Sequence, residues 1–358
     1  MLGLLGIFGA VFAGFMADGV LNAESKLKSD DEDDGPDTRS PSNEEGADHG
    51  FLDFLDTAPT TAPTIDGLAE DDMLDSDSTD MPPPAPDNRL IFGADDDDIL
   101  TGDTGADAIF GGNGGDLLGG RDGDEVIDGG EGEDHIDGGS GADSLRGGAG
   151  DDVLQGLDGD DEIEGSSGDD WLAGHMDDDL LQGDEGADSL MGGSGDDTLI
   201  GGEDDDWLAG GYGDDALQGR SGSDALDGNA GNDTLLGVDP ENPKDSDGAD
   251  FLNGGTGDDT LLIGAGDYAH GGEGADTFAL GDWIGDGEVA HISDYNPDED
   301  DIVVLYDATA HPDPHIALIS EDGSNDATVL LDGIPLAVIA NGAGLSVDAL
   351  KLMPSNSF

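Results

Sequence analysis

Gly129-Gly130-Glu131-Gly132-Glu133-Asp134-His135-Ile136-Asp137 is followed at once by Gly138-Gly139-Ser140-Gly141-Ala142-Asp143-Ser144-Leu145-Arg146. The two nonapeptides share one pattern, and it runs without a gap from Gly93 to Leu236, sixteen units in all. The first position is glycine in every unit, and the eighth is Leu or Ile in every unit, from Leu100 to Leu235. The sixth is Asp in fifteen units and Glu125 in the other. The fourth is glycine except at Asp96, Asp177 and Asp204. Self-similarity at a fixed short period identifies a repeat architecture better than local propensity does.

Positions 1 to 6 carry the glycines and read as a turn, because glycine serves where φ is positive or backbones come close. Positions 7 to 9 are too short for a helix. They place one apolar side chain between mostly polar neighbours, which is strand alternation at its shortest. Turn and strand then alternate, so two units make one flattened coil of eighteen residues. Sixteen units predict eight coils, about 38 Å long at roughly 4.8 Å per stacked strand.

Stacking brings each sixth-position carboxylate beside those eighteen residues away, so Asp134 neighbours Asp116 and Asp152. Two carboxylates about 4.8 Å apart repel by roughly 1 kcal/mol in water and several-fold more near a protein surface. Such a column needs cations within it. Hard oxygen donors, flexible turns with free carbonyls and the absence of Cys point to Ca²⁺. One Leu or Ile per unit is a thin core against the entropy of ordering so much backbone. Metal binding is therefore expected to be part of the folding free energy.

The units resemble the RTX nonapeptide repeat, G-G-x-G-x-D-x-U-x, of the haemolysin-type calcium-binding proteins. The resemblance implies an all-β, right-handed parallel β-roll with calcium between the turns of successive coils. It also implies that the ligands are turn carbonyls and the sixth-position carboxylates. In this chain those are Asp98, Asp107, Asp116, Glu125, Asp134, Asp143, Asp152, Asp161, Asp170, Asp179, Asp188, Asp197, Asp206, Asp215, Asp224 and Asp233. The pattern resumes beyond the strict block at Asp250 and Asp259. Gly274-Ala275-Asp276-Thr277-Phe278 resembles the family's closing repeat, so Asp250, Asp259 and Asp276 join the implied ligands. Seven gaps on each side of eight coils make about fourteen sites for the strict block.

The 358 residues include 64 Gly and carry a formal net charge of −79, which argues against nucleic acid and anionic membrane surfaces as partners. The lack of Cys excludes a disulfide scaffold and thiolate metal sites. High charge with few aromatics predicts disorder in the absence of calcium. The strict block holds 42 Asp and Glu against three Arg, and about fourteen Ca²⁺ would bring its charge down to about −11, a tolerable value.

Four regions follow from composition. Residues 1–21 open with the apolar stretch Met1–Ala17, read as a membrane-inserting or anchoring segment, a cleaved signal or an apolar terminus. Residues 22–88 form an acidic, Pro- and Ser-rich linker, expected to be disordered. Residues 89–281 are the roll, with Arg89–Phe92 as its first strand. The register breaks at Gly237, where Val238–Lys244 reads as an excursion loop with two prolines, and a unit shortened by one follows at Ile263–His270. Residues 282–358 form a β-rich cap, as a repeat stack requires. Strands are expected near Val289–Ile292, Asp301–Tyr306, His315–Ile319, Ala327–Leu331 and Pro335–Ile339, with turns at Asp322-Gly323 and Asp332-Gly333. The resemblance implies that this region also carries an uncleaved type I secretion signal, with the apolar tail Leu345–Met353 compatible with it.

No catalytic constellation appears. The chain has no H-E-x-x-H and no G-x-S-x-G motif. His311-Pro312-Asp313-Pro314-His315 is the one close histidine pair, and its prolines forbid a helix that would align the two rings. Trp171 and Trp207 share position 7 four units apart, and read as stacked packing partners or as a carbohydrate platform. The expectation is a non-enzymatic, calcium-binding protein that is secreted from a Gram-negative bacterium and folds on meeting extracellular calcium. The alternatives are a membrane-anchored surface adhesin or matrix spacer, with membrane contact through Met1–Ala17, and an accessory module for a separate enzyme.

Overall fold

A computed structural model describes residues 88–238, 248–285, 288–320 and 323–355. The segment Met1–Ala17, the linker up to residue 87 and most of the excursion loop lie outside these residues. Within them, strands alternate between two sheets, one of 13 and one of 14 strands. Each strand of the repeat block pairs in parallel with the strand one coil away, eighteen residues along. Leu118 pairs with Ile136 and Ile136 with Leu154, so the eighth positions superimpose. These Leu and Ile side chains fill the space between the sheets and are at most 2 % exposed from Ile109 to Leu235. Leu90–Phe92 pairs with Ala108–Phe110 and forms the first rung, as expected.

The strands are twice as long as the sequence suggests. His135–Ser140 is typical: it covers positions 7 to 9 and continues through positions 1 to 3 of the next unit. Only positions 4 to 6 make the turn. The glycines misled the reading because they serve the strand, not its end. Position 1 is glycine because there is no room for a side chain: a Cβ on Gly138 would lie 2.5 Å from Asp143 Oδ2 and 2.9 Å from the Gly156 carbonyl oxygen. From Gly112 onward position 2 has positive φ even where it is not glycine, as at Arg121 (98°) and His175 (87°). That kink bends the strand, yet pairing persists on both sides of it, Gly119 with Asp137 and Arg121 with Gly139.

The insertion after Leu236 leaves the stack intact. Leu226 pairs with Leu252 and Leu235 with Leu261, across 26 residues in place of eighteen. The shortened unit is absorbed too, since Leu252 pairs with Ala269. Both sheets continue past Gly281: Asp301–Tyr306 adds to one and Ala290–Ile292 to the other, each in parallel. The direction then reverses. Ile334–Ile339, Ala327–Leu331 and Ile316–Ile319 form an antiparallel meander. Asp332 (φ 52°) and Gly333 (φ 86°) supply the two positive φ values of a primed hairpin turn. Leu345–Met353 is not simply an apolar tail: Leu350–Pro354 is a strand, paired in parallel with Asp301–Tyr306. A smaller apolar cluster lies outside the 13-stranded sheet, where Val238, Leu262, Ala279, Val303 and Leu305 pack with Trp283. Among the described residues no helix is long and apolar enough to cross a membrane.

Candidate metal columns

The turn consists of positions 4 to 6, so the sixth side chain leaves the backbone where the coil reverses. Pointing inward from a tight bend, it is buried. Asp107, Asp116, Glu125 and every later sixth-position carboxylate to Asp276 are at most 3 % exposed. One oxygen of each is committed to the stack. Asp134 Oδ1 accepts from the Asp116 main-chain N–H at 2.7 Å, and Asp152 Oδ1 accepts from that of Asp134 at 2.7 Å. The pattern repeats on both edges of the solenoid. One ladder runs from Asp98 to Asp267 and the other from Arg89 to Asp300. All nineteen carboxylates named from the sequence fall into these two columns.

The second oxygen separates the middle of the columns from their ends. In Asp116, Glu125, Asp134, Asp143, Asp152, Asp161, Asp170, Asp179, Asp188, Asp197, Asp206, Asp215, Asp233 and Asp259 it is buried with no hydrogen-bond partner among the described residues. At the ends it is paired. Asp98 Oδ2 accepts from Ala94 N–H at 2.7 Å, Asp107 Oδ2 from Asp103 N–H at 2.8 Å, and Asp300 Oδ2 from Asn296 N–H at 2.7 Å. A buried anionic oxygen without a donor costs several kcal/mol unless it is protonated or faces a cation.

The electrostatics show the same demand. Burial, and then the neighbouring carboxylates, push Asp143, Asp152, Asp161, Asp179, Asp188 and Asp206 up against the opposing hydrogen bond from the main chain. Asp152 and Asp188 are raised from 3.8 to about 7. Asp179 and Asp206 reach about 8. Without a counter-ion, Asp179 and Asp206 would hold protons near neutrality.

The donors around each turn are oxygen only. Beside the free carboxylate oxygen stand main-chain carbonyls: the position a Cβ would take on Gly129 lies 2.3 Å from Asp134 Oδ2 and 2.6 Å from the Gly147 carbonyl oxygen. Among the described residues no three acidic or imidazole side chains gather as a metal cluster. A mixed set of carboxylates and carbonyls on flexible turns suits Ca²⁺, whose coordination is variable and oxygen-based. The orphaned oxygens and the crowding at the first-position glycines fit such an ion.

Sequence reasoning missed three features. Asp267 and Asp300 continue the two columns, each directly before a strand, which is the signal that identifies them. Ala269 in place of Leu or Ile, and the irregular spacing, concealed that signal. Asp267 departs from the mid-column pattern, because its Oδ2 accepts from Gly264 N–H at 2.5 Å. The third feature is a ladder at position 5, which is Asp in nine of the sixteen units. Its bonds run the opposite way: Asp178 Oδ1 accepts from Asp196 N–H at 2.8 Å, and Asp196 Oδ1 from Asp214 N–H at 2.9 Å. Adjacent acids at positions 5 and 6 thus tie each turn to the coils on both sides.

The histidine pair has a structural account. His311 Nδ1 lies 2.6 Å from Asp332 Oδ2, and the His315 main-chain N–H donates to Asp332 Oδ1 at 2.8 Å. Those bonds hold the Asp332 carboxyl below its usual value.

Residues 90–118, 119–154, 146–181, 155–190, 174–208, 182–217, 200–235 and 244–268 match the RTX calcium-binding nonapeptide repeat (4 copies). No match was found among curated proteins. Of solved structures, a hyperactive, Ca²⁺-dependent, β-helical antifreeze protein from an Antarctic bacterium is similar at 22 % identity, over 61 % of this chain and 77 % of that one, with a TM-score of 0.37. The extracellular lipase LipA of Serratia marcescens is similar at 17 % identity, over 74 % of this chain and 40 % of that one, with a TM-score of 0.15. The columns of acids and the matched repeats lead to one conclusion: the solenoid over residues 90–268 is calcium-binding and belongs to the RTX calcium-binding nonapeptide repeat family.

Proposed function

We propose that this chain is a secreted, non-catalytic protein whose roll folds when it meets extracellular calcium. The observation that carries the reading is the run of buried, partnerless carboxylate oxygens from Asp116 to Asp215, with Asp233 and Asp259 beyond it. Bound calcium supplies the positive charge those oxygens lack. The mid-column carboxylates and the carbonyls of the neighbouring turns would hold it, and the first oxygen of each carboxylate keeps the coils in register. Where calcium is scarce, repulsion along two acid columns opposes stacking, and the chain stays extended. That state suits export through a type I secretion apparatus. At the millimolar calcium outside a cell, sites of extracellular-module affinity, with Kd about 10⁻⁴–10⁻³ M, would fill.

The end carboxylates Asp107, Asp267 and Asp300 have both oxygens occupied by main-chain N–H groups, so they close the columns. The family ligand pattern therefore applies best to the middle of each column. Calcium titration of the full chain, followed by far-UV circular dichroism and calorimetry, tests the reading. A cooperative gain of strand signal with a stoichiometry near fourteen is expected. Unchanged strand content after chelation, or two to three bound ions, would contradict it. Culture fractionation with and without calcium and the secretion apparatus tests the export step.

A further inference from the structure

The three tryptophans occupy different environments. Trp283 is a packing residue: its indole N–H donates to the Ile263 carbonyl at 3.0 Å, and its ring fills the space over Gly281. Trp171 and Trp207 stand on the outer face of the 14-stranded sheet, half-buried, in the register Trp171–Ser189–Trp207. With Ser189 between them, they are not the stacked pair expected from the sequence. They lie two strand steps apart, about 10 Å. Neither indole N–H has a hydrogen-bond partner among the described residues.

Each ring has a small neighbour on the same face. Ala173 and Ala209 follow two residues after each tryptophan, on the same outward face. They are nevertheless only 1 % and 6 % exposed. Met191 stands between them. A large ring beside a small residue, then Ser189 beside Met191, then a large ring beside a small one, makes a checkerboard. An indole two residues away accounts for the burial of each alanine, while each indole itself stays partly exposed. Position 7 of this sheet carries no acid in any rung from Ile99 to His291, on a chain of net charge −79.

We propose that Trp171 and Trp207 form a binding platform for a neutral, extended polysaccharide of β-linked pyranoses, laid along the direction in which the coils stack. The C–H faces of pyranose rings pack on indole faces, and the free indole N–H groups have hydroxyls within reach as acceptors. In such a chain every second ring presents the same face, and that disaccharide repeat is of the same length as the spacing of the two indoles. The strongly acidic surroundings exclude anionic polymers, which leaves an uncharged ligand. The inference uses the calcium-loaded roll only as a scaffold, so it fails separately from the calcium reading.

The test uses the full chain in calcium, with strand content checked by circular dichroism. Retention on microcrystalline cellulose and on chitin is measured, together with tryptophan emission on titration with cellohexaose and chitohexaose. We expect retention on at least one polymer and a saturable emission shift with the matching hexasaccharide. W171A/W207A should lose at least tenfold in affinity and F251A, on the same face, less than twofold. If neither polymer retains the protein and neither sugar shifts its emission, the proposal is overturned. A double variant with intact strand content and undiminished retention overturns it too. Should the double variant not fold, W171A and W207A taken singly decide, each expected to lose at least threefold.

Discussion

Acid should substitute for calcium in assembling this roll. The perturbation is chelation at pH 8, followed by acidification to pH 5, which stays above the sequence pI of about 4.1. Asp152, with a carboxyl at about 7 in the folded coil against an ordinary 3.8, shows the scale. Three units correspond to about 4 kcal/mol. Neighbouring carboxylates in a column share their protons, so the gain per carboxylate is smaller than that, about 2 kcal/mol. The sign follows from linkage: a carboxyl raised in the folded state binds its proton more tightly there than in the unfolded chain. Its stabilisation is therefore fully present below pH 3.8 and is lost as pH rises through about 7. Asp143, Asp161, Asp188 and Asp233 lie in the same range, so the effect accumulates along both columns. Far-UV circular dichroism and size-exclusion chromatography of the chelated chain should show an expanded species at pH 8. By pH 5 most of the strand signal and a smaller hydrodynamic radius should appear. A chelated chain equally unfolded at both values, or equally folded, would refute the argument that unneutralised buried carboxylates control the fold.

Other outcomes follow from the same geometry. Leu172→Ala empties a fully buried core position, should cost about 2–5 kcal/mol, and will be read as a higher calcium midpoint for folding. Gly138→Ala places a methyl group against Asp143 Oδ2 and the Gly156 carbonyl, so calcium-induced strand formation should be weaker or lost. Asp152→Asn removes charge at a carboxylate with a free oxygen and should lower the calcium stoichiometry measured by calorimetry. Asp300→Asn, at a column end whose oxygens are already paired, should leave it unchanged. Excising residues 239–246 turns the 26-residue spacing between Asp224 and Asp250 into the regular eighteen, and should preserve both strand content and stoichiometry.

The period of nine determined much of this protein directly. A glycine, an acid and an aliphatic residue at fixed offsets permit a strand and a turn but no helix, and identical units can bury their one apolar side chain only by stacking. The demand for cations was equally legible, because stacking a repeated acid puts like charges in a column. What the sequence left undecided lies in three-dimensional neighbourhood. It could not show that the glycines at positions 1 and 2 belong to a kinked strand, since positive φ and close approach look alike in letters. Asp267 and Asp300 joined the columns only once their strands were paired, because register, not spacing, places them. The division between satisfied ends and orphaned middle carboxylates also came from the tertiary structure. Chemically identical side chains differ there solely in whether a main-chain N–H lies within hydrogen-bonding distance of the second oxygen, and that depends on how each turn packs.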